Sequence, residues 1–162
     1  MSEKKPSVLF VSSGGAQREV DIEIAKMSVM VKTMIENSEK TIEEPIRFSN
    51  IDTTTLDKAI EWCDHHKNDP VTENDDKSSI HCDIDPWDAK FIDLNPSGLV
   101  GLTAAASILK IEKLLNLCCK AVAKKMLGKS PEEIRQTFGI KCDFTSEELE
   151  EIKRENAWAE YN

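Results

Sequence analysis

The stretch SVLFVSSGGAQREVDI, Ser7–Ile22, decides the fold class. Ser7–Ser13 is β-branched and apolar, and Gly14-Gly15 then turns the chain into REVDI, so the two runs read as the arms of a β-hairpin. A third short strand is predicted at Ile46–Phe48, after the loop ENSEKTIEEP. Between hairpin and third strand, EIAKMSVMVKTMIEN spaces Ile24, Met27, Val31, Met34 and Ile35 at intervals of three and four, the signature of one amphipathic helix. The outcome is an α/β (α+β) chain with a small three-stranded sheet interleaved with helices.

Downstream the helical period takes over. Asp52 or Thr53 caps a helix through TTLDKAIEWCDHHK, whose expected buried stripe is Leu56, Ala59, Ile60 and Cys63. Residues 68–85, NDPVTENDDKSSIHCDID, break the pattern with acids, polar residues and a proline, the composition of a surface loop. PWDAKFIDL predicts a short helix, PSGLVGLTAAASIL a buried one rich in small residues, and IEKLLNLCCKAVAKKML a longer one ending at Gly128. The apolar face of that last helix is read as Ile111, Leu114, Leu115, Cys118, Val122 and Met126.

The C-terminal stretch SPEEIRQTFGIKCDFTSEELEEIKRENAW, Ser130–Trp158, contains two capping boxes, Ser130 with Glu133 and Thr145 with Glu148. Pro131 sits at the first helical position, and Lys153 and Arg154 suit the dipole of the last helix. Local chemistry therefore specifies two short helices. Their apolar residues, Ile134, Phe138, Ile140, Phe144, Leu149, Ile152 and Trp158, are too few for a core of their own. They either close the core of the preceding domain or meet another protein.

Composition narrows the function classes. A chain of 162 residues with 40% hydrophobic and 31% charged residues fits one globular domain with an appendage. The net charge of −9, with Lys and Arg scattered among the acids, lacks the basic stripe of a nucleic-acid-binding protein. The longest apolar stretch, LVGLTAAASIL, falls short of the roughly 20 residues needed to cross a bilayer, and MSEKKPSVLFVSS does not read as a secretory signal. Five cysteines without framework spacing suit reduced thiols, and a cytoplasmic and nuclear location is expected.

WCDHH and IHCD bring Cys63, His65, His66, His81 and Cys82 within twenty positions, but not in the paired spacing of a structural zinc site. A thiol nucleophile at Cys63 or Cys82 with a neighbouring histidine lacks any accompanying oxyanion cradle. Gly14-Gly15 is not a phosphate loop, and the acids of residues 73–85 lack the alternation of a calcium loop. No catalytic residue, metal or cofactor is predicted.

GKSPEEIRQTFGIKCDFTSEELEEIKRENAW closely resembles the C-terminal signature of the S-phase-kinase-associated protein 1 family, the Skp adaptors of SCF ubiquitin ligases. The likeness continues in VDIEIAKMSVMVKTMIE, IEWCDHHKNDP and DPWDAKFIDL, and so covers nearly the whole chain. It implies a BTB/POZ-type domain over residues 1–127 and a helical extension over 128–162. It also implies a non-enzymatic bridge, without cofactor, between the N-terminal region of a cullin and the F-box of a substrate receptor. The F-box-binding region would run from about Thr103 to Asn162, with Leu114, Cys118, Val122, Met126, Ile134, Phe138, Ile140, Phe144, Ile152 and Trp158 as its residues. Ser107, Ile108 and Lys110 fall where the family contacts the cullin, but the family's usual Asn-Tyr pair is Ser107-Ile108 here, and Lys110 replaces a common acid. Ala159, Glu160, Tyr161 and Asn162 also depart from the usual tail. Loss of an aromatic anchor weakens or redirects an interface, so a chain that binds F-box proteins without a cullin is the alternative. An elongin-C-like role fits less well, because that family ends before the two final helices. Unoccupied apolar residues also predict a homodimer when no F-box is bound.

Overall fold

The computed structural model describes residues 6–37, 44–69 and 84–161, and divides into two compact units, Met1–Leu127 and Gly128–Asn162. His81, Cys82 and most of the acidic stretch lie outside the described residues.

In the first unit the hairpin forms as β1 (Ser7–Val11) and β2 (Gln17–Asp21), antiparallel, with Ser7 opposite Asp21 and Val11 opposite Gln17. Gly15 adopts φ +80° in the turn and donates its N–H to the Ser12 carbonyl, a left-handed conformation that suits glycine. β3 (Ile46–Arg47) pairs parallel to β1, giving the order β2-β1-β3 in a mixed three-stranded sheet. Val8, Phe10 and Val20 are buried, and the Phe10 ring meets Phe48 edge-on with centroids 5.2 Å apart.

The single helix expected over residues 23–37 is instead two. α1 (Ile22–Ala25) stops, and α2 (Val29–Asn37) restarts after Lys26–Ser28. The cause is Ser28, whose buried hydroxyl accepts the Val31 N–H at 3.2 Å and donates to the Leu109 carbonyl at 2.5 Å. A side chain that caps a new helix ends the old one. Met34, read as part of the apolar stripe, is 42% exposed, whereas Val31 is fully buried.

α3 (Thr53–His66) starts at Asp52, whose carboxylate accepts the Thr55 N–H and hydroxyl; those bonds hold the carboxyl below the usual range. Leu56, Ala59 and Cys63 are buried as expected; Ile60 is only partly so, and Trp62 takes a place the sequence reading left empty. α4 (Pro86–Phe91), α5 (Pro96–Leu109) and α6 (Glu112–Met126) follow, capped by Asp85, by Asn95 and, without a side-chain bond, by Ile111. α5 packs on both α3 and α6. A Cβ at Gly101 would lie 3.4 Å from Thr55 Oγ1, so the small residues of α5 allow close approach to α3. Leu56, Leu99, Leu102 and Leu114 form the centre of one apolar core.

The second unit contains α7 (Pro131–Phe138), α8 (Ser146–Glu155) and a 3₁₀ turn at Ala157–Tyr161 that the sequence reading did not predict. Both capping boxes are present with both reciprocal bonds. α7 ends at Gly139, φ +64°, whose N–H donates to the Arg135 carbonyl.

Candidate functional site

Local chemistry holds the helices of the second unit. Glu133 Oε2 accepts the Ser130 N–H at 2.7 Å while Ser130 Oγ accepts the Glu133 N–H at 3.2 Å, and these bonds keep the Glu133 carboxyl below its ordinary range. Thr145 and Glu148 repeat the arrangement at 2.8 and 3.3 Å. Neither helix buries a single residue. Ile134 and Phe138, one turn apart on α7, are half-buried, while Ile140, Phe144 (50% exposed), Ile152 and Trp158 (76% exposed) are open to solvent. Large apolar side chains on a well-capped scaffold with nothing of their own to cover them are the composition of a protein-binding surface.

The expected contribution of α6 needs correction. Leu114 and Cys118, assigned to a partner face, are fully buried in the core of the first unit together with Leu117 and Ala121. The buried line thus keeps Ile111, Leu114 and Cys118 of the predicted one and adds Leu117 and Ala121 on one flank, with Leu115 and Val122 only partly buried on the other. Val122 is partly buried against that core, and only Met126 is exposed. Leu114 and Cys118 therefore support the helix from within, and Cys118, its thiol pushed up to about 12 chiefly by burial, behaves as a small hydrophobe. Leu127, 74% exposed beyond Met126, was missed; its signal was an apolar residue placed just before Gly128.

At the far end of α5, Ser107, Ile108 and Lys110 are all exposed. Lys110 adopts φ 53°, ψ 50° and closes the helix: its N–H reaches the Ser107 carbonyl at 3.2 Å, and the Ile111 N–H reaches that of Ala106 at 3.0 Å. Exposed Val29 stands beside this turn, its N–H 3.4 Å from the Lys110 carbonyl. A continuous helix over residues 23–37 gives Val29 no special place; the break at Lys26–Ser28 makes it the first residue of α2.

The cysteine and histidine cluster does not assemble a reactive centre. Cys63 is buried, and burial pushes its thiol up to about 12, which removes the thiolate needed by a nucleophile. His66 stacks on Trp62 and places Nε2 3.3 Å from Asp88 Oδ1, which also accepts the Trp62 indole N–H at 3.0 Å. His65 stacks on Trp87 at 3.7 Å. Burial raises the Asp88 carboxyl above its ordinary value, against the opposing pull of the indole hydrogen bond and His66. Among the described residues no group of three or more ligand-type side chains converges on a metal position, and no helix is long and apolar enough to cross a membrane.

Comparison with known proteins adds two family models, one described as Skp1 family, tetramerisation domain, over residues 6–68, the other as Skp1 family, dimerisation domain, over 112–159. Curated relatives named E3 ubiquitin ligase complex SCF subunit sconC match over nearly full length. The Aspergillus terreus protein is 46% identical over 157 residues, 96% of this chain and 97% of the relative. The Talaromyces stipitatus protein is 44% identical over 155 residues, 94% and 96% respectively. The Arthroderma benhamiae protein is 42% identical over 156 residues, 94% of each.

Proposed function

Because this chain belongs to the Skp1 family, we propose that it is the adaptor of an SCF-type E3 ubiquitin ligase, joining F-box substrate receptors to a cullin. The single observation that carries the reading is the second unit: two helices fixed by capping boxes, none of whose residues is buried, with Ile140 and Phe144 exposed in their connection, Ile152 on α8 and Trp158 in the turn that follows. An F-box laid on these residues would supply the apolar cover they lack. Half-buried Ile134 and Phe138 of α7 are assigned to the same partner, as are partly buried Val122 and exposed Met126 of α6. An interface of on the order of 2,000 Å² is expected, with its aromatic residues carrying most of the energy. Ser107, Ile108 and Lys110 are assigned to the cullin.

The role is non-catalytic. The chain supplies position, and transfer of ubiquitin belongs to enzymes brought by the cullin. The burial of Cys63 argues against a thiol mechanism of its own. Affinity capture from cell extract tests both ends together: F-box proteins and a cullin are expected in near-stoichiometric yield. Recovery of F-box proteins alone would favour an adaptor without a cullin, and recovery of neither would overturn the assignment.

The same apolar residues lead to a homodimer in the absence of an F-box, a reading supported by the dimerisation-domain description over residues 112–159. Light scattering on the purified chain should then show a mass that rises with concentration and returns to the monomer value, plus the peptide, when an F-box peptide is added. A constant monomer mass at all concentrations would contradict it.

A further inference from the structure

The helix end that carries Ser107, Ile108 and Lys110 is tied to an element distant in sequence, and one side chain makes the tie. Ser28 is 3% exposed, and its hydroxyl donates to the Leu109 carbonyl while accepting the Val31 N–H. The first bond reaches 81 residues along the chain, from the break between α1 and α2 to the last turn of α5. The next residue on each side forms a second bond, Val29 N–H to Lys110 carbonyl. Carbonyls at a helix C-terminus lack intrahelical donors. Here Ala106 and Ser107 are satisfied by the local turn, whereas Leu109 and Lys110 depend on Ser28 and Val29. Lys110 occupies the left-handed region, which disfavours a residue with a Cβ, so the turn needs such support.

We propose that Ser28 is a positioning residue for cullin binding: by tying α2 to the end of α5 it holds the Lys110 turn and sets Val29 beside Ile108 and Lys110 as one surface. The inference rests on the assignment of Ser107, Ile108 and Lys110 to the cullin. Removing the hydroxyl leaves the Leu109 carbonyl and the Val31 N–H without partners and frees the turn to sample other conformations. The exposed residues keep their identity but lose their arrangement.

The test uses the full chain, the N-terminal region of an SCF cullin and an F-box peptide, with affinities measured by calorimetry. Ile108→Asp examines the surface itself and is expected to weaken cullin binding by about a hundredfold. Ser28→Ala is expected to weaken it about tenfold with F-box affinity unchanged within about twofold, and Ser28→Thr, which restores a hydroxyl, to recover most of the loss. Val29→Asp changes an exposed residue at a helix start that tolerates an acid, so it folds whatever Ser28→Ala does, and it should impair cullin binding alone. If Ile108→Asp binds the cullin like the parent, the surface assignment falls and the inference with it. If Ile108→Asp fails to bind while Ser28→Ala and Val29→Asp bind normally, the surface stands and the role of Ser28 is overturned. Equal losses for both partners in Ser28→Ala would show a purely structural role and would also overturn it.

Discussion

Phe138→Asp should abolish F-box capture while leaving the first unit folded. Phe138 is the last residue of α7, half-buried, one turn from Ile134 and directly before the left-handed Gly139. An aromatic side chain at this place offers a large rigid contact, and truncating such an anchor typically costs about 2–4 kcal/mol of binding. Aspartate adds two penalties: a carboxylate without a partner in an apolar interface, and a negative charge at the negative end of a helix dipole. Together they place the loss beyond about a hundredfold in Kd. Phe138 is not among the residues of the first unit's core, so thermal unfolding of that unit should be unchanged within about 1 °C. Phe138→Leu, which keeps apolar volume, should retain part of the affinity. Binding of the aspartate variant within about twofold of the parent would remove this residue from the interface.

The largest effect on stability is expected from Trp62→Ala. Trp62 is buried in α3, its ring stacks on His66 with centroids 4.2 Å apart, and its indole N–H is donated to Asp88 on α4. Removing a buried ring of this size costs about 3–5 kcal/mol in lost transfer and residual cavity. The carboxylate of Asp88 would also lose its indole donor at a site where burial already disfavours the charge. Against a total stability of about 5–15 kcal/mol, this variant should unfold at far lower urea than the parent. Trp62→Phe separates the two contributions, since it keeps most of the packing and removes the hydrogen bond, with an expected cost of about 1–3 kcal/mol. A loss below about 1 kcal/mol for Trp62→Ala would show that the α3–α4 contact is not part of the core.

What was legible in the sequence was local. The hairpin followed from a β-branched run turned back at Gly14-Gly15, and both C-terminal helices from hydroxyl and glutamate pairs three residues apart; each signal lies within a few residues of the element it specifies. Misreadings occurred where a distant partner decides. Ser28 breaks the helix over residues 23–37 because its acceptor is on Leu109, and no pattern near Ser28 encodes that bond. On α6 the predicted stripe and the buried one share Ile111, Leu114 and Cys118 and differ in their flank. Packing on α5 buries the flank with Leu117 and Ala121 and leaves Met126 outside, so the shared residues Leu114 and Cys118 belong to the core rather than to a partner. Trp62 was passed over because its neighbours Leu56, Ala59, Ile60 and Cys63 already satisfied the period; its place is set by Asp88 and His66. The apolar residues of the second unit were legible as a surplus because the segment is too short to enclose them.

A bridge is read from the mass of the complex formed from purified parts: this chain, an F-box segment and the N-terminal region of an SCF cullin, followed by light scattering after size exclusion. A single species containing one copy of each is predicted, with no cullin–F-box complex when this chain is left out. A complex of this chain with the F-box segment from which the cullin separates completely would contradict the bridge.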